Sequence, residues 1–191
     1  MRKIGLKLAT IAVALLSFSS NSFAVEGNNS LKAGFLVNPI GYMLLFDYER
    51  MINDTFAVGG RVATVEYTWE EDPYEEDGSG SGIEATFRWY TKRQGFNGFY
   101  LGGSVGFWSI DWDWTDPTDS PTSGSGTSDV LNLMVNVGWK IGFGSSNWYV
   151  DPNIAIGNFF SLTTDSTYEP EEGEGGIGFY AGAGVAIGVA F

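Results

Sequence analysis

The chain lacks two residue types on which most catalytic and metal sites depend, since none of its 191 residues is histidine or cysteine. A Ser-His-acid arrangement cannot be assembled without an imidazole, and zinc sites built from imidazole or thiolate ligands are excluded for the same reason. Carboxylate-pair hydrolysis needs two acids at a defined separation, and no spacing in the sequence singles out such a pair. The residue types therefore favour a non-enzymatic protein without a resident cofactor.

Acidic residues are the most abundant candidate ligands, and many of them lie in residues 70–81, 115–127 and 163–175, which contain no lysine or arginine. Next to the second stretch, alternating carboxylates are expected on one face of an extended segment that carries Asp111, Asp113 and Asp116. Carboxylate oxygens are the ligands that Ca²⁺ prefers, but this segment lacks the glycine and the distal glutamate of an EF-hand loop. Two interpretations stay open: a solvated, mutually repelling fringe, and a surface site for Ca²⁺ or Mg²⁺.

The acidic stretches separate segments in which apolar residues alternate with other types, the pattern of strands that have one apolar face. In residues 82–92, for example, one face consists of Ile83, Ala85, Phe87 and Trp89. Eight such segments can be placed along the chain, at residues 30–37, 42–51, 55–69, 82–92, 99–114, 128–143, 148–162 and 176–191. The alternation changes phase within residues 99–114, and a β-bulge near Gly106 would reconcile the two halves of that strand.

The connections after the second, fourth and sixth strands are short, and those after the third, fifth and seventh are long. Outer-membrane barrels show this pattern because their periplasmic turns are short and their external loops long. After the N-terminal region no stretch of 18 apolar residues occurs, which excludes helical membrane spans. The sequence therefore predicts an all-β protein, an eight-stranded antiparallel up-and-down transmembrane β-barrel that covers residues 25–191.

The two ends of the sequence carry separate signals. Residues 1–24 combine a basic start, an apolar run and small residues before position 25, which predicts a cleaved signal peptide and export through the inner membrane. The last strand ends on Phe191, and its apolar face includes Val189, Ile187 and Phe179. Its other face is mostly glycine and alanine, which we expect to leave room in the barrel for long side chains such as Arg61 and Arg88.

The whole of residues 25–191 resembles the small eight-stranded bacterial outer-membrane barrels of the OmpA, OmpX and OmpW kind, without a clear match to one subfamily. The resemblance implies that Phe191, Val189, Ile187 and Phe179 form the signal read by the barrel assembly machinery. It implies a location in the outer membrane, in contact with membrane lipid and lipopolysaccharide. The barrel enzymes of this class carry a histidine in their sites, so the resemblance does not imply an enzyme here.

Eight charged residues are expected inside the barrel, on the faces opposite the apolar ones. They balance four against four: Lys32, Arg61, Arg88 and Lys140, with Asp47, Glu49, Glu84 and Asp151. The interior of an eight-stranded barrel is only wide enough to be filled by side chains. We therefore expect a network of ion pairs that plugs the lumen. The alternative is a narrow ion pathway, and the plug is favoured over it because balanced charge provides no selectivity ring.

Aromatic residues cluster at the predicted strand ends, as in the girdles of barrels at the two membrane interfaces. The expected outer girdle contains Trp69, Trp108, Trp112 and Trp114. The expected periplasmic girdle contains Tyr90, Phe96, Phe99, Tyr100, Trp139, Phe143, Trp148, Tyr149 and Phe191. A ligand-stacking site on Trp112 and Trp114 is the alternative interpretation of the outer group.

These observations favour a monomeric, non-enzymatic barrel with a structural or surface-interaction role, namely membrane integrity, adhesion, or contact with divalent cations or lipopolysaccharide. The alternative function is a small transport barrel for apolar or small solutes, as the resemblance to OmpW implies. Nucleic acid is not an expected partner, because the formal charge of the chain is −13 and all 23 acidic residues follow residue 24.

Overall fold

A computed structural model describes residues 27–71, 74–91, 96–116, 122–143, 146–166 and 178–191. The predicted signal peptide lies outside these ranges. Eight strands follow one another along the chain: β1 (Asn29–Val37), β2 (Gly41–Met51), β3 (Phe56–Glu71), β4 (Tyr74–Tyr90), β5 (Gly98–Asp116), β6 (Thr122–Gly142), β7 (Trp148–Ser166) and β8 (Phe179–Ala190). In the described part of the chain, no helix is long and apolar enough to cross a membrane.

Each strand pairs antiparallel with its neighbours in sequence, and β8 pairs with β1 to close the barrel. Paired residues followed around the barrel from Pro152 of β7 lead back to β7 at Thr163, eleven positions further along. One of these positions is accounted for by the irregularity opposite Asp129 and Val130, which leaves a stagger of ten residues over eight strands. A stagger of this size goes with strands that tilt by about 40° from the barrel axis. The predicted eight-stranded up-and-down topology is confirmed.

In the half of the barrel nearer the chain termini, apolar side chains face outward and polar ones face inward. On β4 the outward Ile83, Phe87 and Trp89 are 65%, 56% and 43% exposed, whereas the inward Glu84 and Arg88 are buried. Outward apolar and inward polar residues are the arrangement of a barrel surrounded by lipid.

The loops expected at residues 70–81 and 115–127 are largely strand, which corrects the sequence interpretation. β3 and β4 continue to Glu71 and from Tyr74, and β5 and β6 continue to Asp116 and from Thr122. The Gly and Ser residues that favoured loops serve another purpose, because rings from the neighbouring strand cover several of these glycines. The Tyr67 ring lies over Gly78, and the indole of Trp114 lies over Gly124. Aromatic cover of this kind stabilises glycine within a sheet.

The bulge expected near Gly106 is absent, because β5 keeps an unbroken register with both β4 and β6. The true cause of the phase change is that the two faces exchange polarity. Phe107 is the last large apolar residue to point outward, and beyond it Trp108, Trp112 and Trp114 point inward and are buried. These three residues are therefore not part of an outer girdle. Trp69 is half exposed, but it has the inward parity of Tyr67 on β3, so it is not an outward girdle residue either.

The periplasmic girdle is also only partly as expected. Phe99, Phe143, Trp148 and Phe191 point outward and are about half exposed, as predicted, and Trp139 is partly exposed. Four other rings instead lie inside the barrel and are fully buried: Tyr90, Phe96, Tyr100 and Tyr149. They form part of an apolar cluster that closes the end of the lumen near the chain termini.

Strand β8 pairs with β7 and β1, as closure of an eight-stranded barrel requires, and it has the predicted faces. Phe179, Ile187 and Phe191 are exposed by half or more on the outside, with Val189 partly exposed between them. The backbone of Phe191 exchanges two hydrogen bonds with Asn29, of 2.8 and 3.0 Å.

The β8 glycines do not make room for the residues that the sequence suggested. The side chain of Leu36 lies against Gly182, and that of Tyr149 lies against Gly188, whereas Arg88 packs over Gly102 of β5.

Candidate functional site: the charged lumen

Asp47 of β2 is the centre of the charge network in the lumen. Its carboxylate accepts hydrogen bonds from Nε of Arg61 at 2.6 Å and from a guanidinium nitrogen of Arg88 at 2.8 Å. Nζ of Lys32 lies 3.4 Å away. Three cations from β1, β3 and β4 thus converge on one carboxylate that is 1% exposed. Because the strands alternate inward and outward residues, these charges meet only if all four strands keep their register.

Towards the end of the barrel that is remote from the chain termini, the network continues through Arg61 to Glu84 at 3.0 Å. The Glu84 carboxylate also accepts hydrogen bonds from the indole of Trp108 at 3.1 Å and from the amide of Asn132 at 2.6 Å. Glu84 therefore joins β3, β4, β5 and β6 across the barrel. Through Trp108 it borders a cluster of buried apolar residues that also contains Phe159 and Tyr180.

Towards the chain termini, Glu49 accepts hydrogen bonds from Arg88 at 2.7 Å, from Lys140 at 2.7 Å and from the Tyr90 hydroxyl at 2.5 Å. The Lys140 ammonium is surrounded by aromatic rings, with centroids at 4.3 Å for Phe96, 4.6 Å for Tyr149 and 5.5 Å for Tyr90. Cation–π attraction and the ion pair together offset the cost of burying this ammonium.

Asp151 of β7 completes the network. It is paired with Lys32, and it accepts a hydrogen bond from the Tyr100 hydroxyl at 2.8 Å. The Tyr100 ring in turn lies 5.5 Å from the guanidinium of Arg88 and 5.9 Å from the ammonium of Lys32. Every one of the eight charged residues selected from the sequence is therefore part of one connected set of ion pairs.

The network fills the cross-section at its level. The eight charged side chains are between 0% and 7% exposed, and their formal charges cancel. A buried charge without a partner would be expensive, so mutual pairing is the condition under which so many can be placed in one lumen. Solvent therefore has little access to these described side chains at this level of the lumen.

No protein-family model matches the sequence, and no curated protein matches it. Among solved structures, the chain is similar to a major outer membrane protein from Thermus thermophilus, with a TM-score of 0.59 and 12% identity over 86% of this chain and 99% of that one. It is also similar to the translocator domain of the autotransporter NalP from Neisseria meningitidis, with a TM-score of 0.52 and 8% identity over 100% and 97% of the two chains. The chain has the fold of an outer-membrane β-barrel. The predicted fold class is thereby confirmed, and at these identities the function must be argued from this barrel's own residues.

Sequence reasoning missed the inward rings that surround the charges of the barrel, above all Tyr90 and Tyr100. The signal was available in the alternation, because Tyr90 lies two residues from Arg88 and therefore shares its face. The girdle interpretation relied on position along the strand and ignored this parity.

The structure does not bring the three candidate metal ligands together. Asp111 and Asp113 point outward from β5, whereas Asp116 falls on the opposite parity, and the Asp111 carboxylate accepts a hydrogen bond of 2.7 Å from Thr127. Within the described ranges, no group of three or more acidic side chains is arranged to hold a metal ion. The expected common face is therefore correct for two of the three aspartates.

An outward groove of about 580 Å³ lies between β2 and β5, beyond the apolar band. Its lining includes four carboxylates, those of Glu66, Asp77, Asp111 and Asp113. Asp77 and Asp113 face each other across the β4–β5 ladder, and Glu66 accepts a hydrogen bond from Tyr42.

Tyr67 lies on the inner face at the same level as the groove. Burial, with a hydrogen bond of 2.7 Å to Glu76, raises the pKa of this phenol above its ordinary value.

Proposed function

We propose that this protein is a non-enzymatic barrel of the bacterial outer membrane, closed by an internal ion-pair network, with a structural or surface-interaction role. The observation that carries the proposal is the connected set of eight buried charges across the lumen. A solute would have to break several of these pairs to pass. The lack of histidine and cysteine supports a role without catalysis.

The alternative role as a small transport barrel is less well supported. Transport through the lumen needs a continuous opening, and here guanidinium, ammonium and aromatic groups occupy the level of Asp47 and Glu49. Balanced charge also offers no preference for cations or anions. The filled lumen therefore favours a closed barrel.

The part of the barrel beyond the apolar band supports a role at the cell surface. Its strands continue as an ordered sheet, and the outward groove with Glu66, Asp77 and Asp113 is acidic. Contact with lipopolysaccharide through bridging divalent cations is the interaction that this charge would suit. We propose that the barrel acts as a monomer and is inserted by the barrel assembly machinery, with the β8 face of Phe179, Ile187, Val189 and Phe191 as its signal.

Planar-bilayer recordings of the purified, refolded barrel test the proposal. A heat-modifiable gel shift first verifies folding, and cell fractionation verifies recovery with the outer membrane. We expect no steady conductance at any applied voltage at which the bilayer is stable. Reproducible channel openings from the folded barrel would refute the closed lumen, and recovery in the soluble periplasm would refute the membrane location.

A further inference from the structure

The outward apolar band has different heights on different sides of the barrel. On β4 it runs only from Trp89 to Ile83, and the next outward residues are Ser81, Ser79 and Asp77. On β3 it runs from Phe56 to Val62, followed by Thr64 and Glu66. On β2 it runs from Tyr48 to Tyr42, with Arg50 beyond its lower end, the end nearer the chain termini. Seven positions are covered on each of these three strands.

The band is about twice as long on β6, β7 and β8. On β7 it extends from Trp148 to Leu162, fifteen positions, with Asn158 as its one polar member. On β8 it extends from Phe191 to Phe179, and on β6 from Phe143 to Leu131, thirteen positions each. The uppermost of these residues are well exposed, Phe160 by 45%, Leu162 by 53% and Phe179 by 72%.

The pairing register shows which residues on different strands lie at the same height in the barrel. Ser79 pairs with Asp111, Asp111 with Thr127, and Thr127 with Asp165 on β7. Because the stagger is ten residues over eight strands, paired residues are not at the same height. For each strand crossed from β4 to β7, the residue at equal height lies about 1.25 positions nearer the end of the barrel with the chain termini than the paired residue does. Asp165 is three strands away from Ser79, so the β7 residue level with Ser79 lies about four positions before Asp165. The irregularity at Leu162 adds one position, which places Phe160 level with Ser79. One side of the barrel is apolar at the height where the other is polar.

The heights can be compared with the membrane. A strand that rises about 3.3 Å per residue and tilts by about 40° gains about 2.5 Å of height per residue. The band is then about 15 Å tall on β2–β4 and about 30 Å or more on β6–β8, compared with about 25 Å for the apolar band of outer-membrane barrels. The difference is not a tilt of the whole barrel, because the band on β7 extends further at both ends. Trp89 pairs through Leu101 and Val137 with Ile154, which places Trp89 about level with Val150, and the β7 band continues past that level to Trp148.

We propose that the barrel presents a thin side, β2–β4, and a thick side, β6–β8, to the acyl chains of the bilayer, and so imposes different membrane thicknesses on its two sides. Lipid is the occupant because the upper residues of the thick side continue the apolar band without a break other than Asn158. The membrane responds to such mismatch by local thinning or thickening. The inference rests on the proposed location of the protein in a membrane.

Fluorophore depth at single cysteines tests the inference, since the chain has no cysteine of its own. Phe160→Cys and Ser79→Cys form a matched pair at one height, on the thick and thin sides. Val135→Cys, in the middle of the band on β6, is the control. Each labelled variant is refolded into phosphatidylcholine vesicles, and quenching by acyl-chain bromines is compared with quenching by aqueous iodide.

We expect the label at position 160 to be quenched at least twofold more by brominated chains than the label at 79, and iodide to show the reverse order. Equal quenching of the two labels would overturn the proposal of unequal sides. If the label at 135 were not quenched by brominated chains, the membrane location itself would be refuted. Should Phe160→Cys fail the heat-modifiable shift, Leu162→Cys replaces it, with the same outcomes.

Discussion

Glu49 and Asp47 allow a sharp test of how the ion-pair network stabilises the barrel. Asp47 has more cationic partners, but each of them keeps a second carboxylate: Arg61 keeps Glu84, Arg88 keeps Glu49 and Lys32 keeps Asp151. Glu49 has fewer, but among the described residues Lys140 is paired with Glu49 alone. Glu49→Gln would therefore leave a buried ammonium without an anion, whereas Asp47→Asn would not isolate any cation.

Removal of one partner from a buried ion pair costs about 3–5 kcal/mol. We expect Glu49→Gln to lie at the upper end of this range, because the Lys140 ammonium is fully buried and keeps only its surrounding rings and an uncharged amide as partners. We expect Asp47→Asn to lie at the lower end. The double substitution Glu49→Gln with Lys140→Met should recover most of the loss, since a buried pair replaced by uncharged groups is often tolerated.

Urea-induced unfolding of the refolded barrel in lipid vesicles measures these free energies, with Glu66→Gln as an exposed control that should change stability by no more than about 0.5 kcal/mol. A larger loss for Asp47→Asn than for Glu49→Gln would show that the number of pairs, and not the isolation of a cation, decides the cost. Losses under about 1 kcal/mol for both would refute the plug as a stabilising element.

Two further predictions concern the packing of the barrel. A Cβ at Gly138 would overlap the Tyr100 ring, which is held by Asp151, so Gly138→Ala should cost about 1–3 kcal/mol in the same assay. Gly60→Ala, whose Cβ would meet nothing closer than 3.8 Å, should be nearly neutral, and equal losses would contradict the steric argument. Deletion of Phe191, an outward and half-exposed residue, should reduce barrel assembly in cells more than the urea stability of the refolded barrel. Equal loss of both would show that Phe191 acts by packing.

Much of the fold could be predicted because the alternation of apolar and polar residues along a membrane strand shows which residues face lipid and which face the lumen. A shift of one residue would carry every apolar side chain of a strand to the wrong face, so the apolar parity of each strand determines which of its residues point inward. This parity selected the eight charged residues, and all eight meet in one network. The individual pairs were beyond the sequence, because they depend on the stagger between strands.

The extended hairpins could not be predicted, because their composition is ambiguous. Gly, Ser and acidic residues near positions 78 and 124 are typical of loops, yet the same residues suit a sheet in which rings from the next strand cover the glycines. Local sequence does not show whether a glycine stands opposite Tyr67 or Trp114, since the partner lies on another strand. The true strand ends therefore lie well beyond the predicted ones.

The error at Gly106 has a physical explanation that applies to the whole barrel. Where lipid surrounds a strand, its apolar residues face outward, and where water surrounds it, they face inward. In a regular strand that leaves the membrane, the apolar residues therefore switch from the outward to the inward positions, and no bulge is needed. On β5 this exchange falls between Phe107 and Trp108. On β7, in contrast, Phe160 still points outward and is 45% exposed, and it lies higher than Phe107. The phase change thus marks the upper edge of the lipid-facing band strand by strand, and its different heights on β5 and β7 are what a bilayer of uneven thickness around the barrel would require.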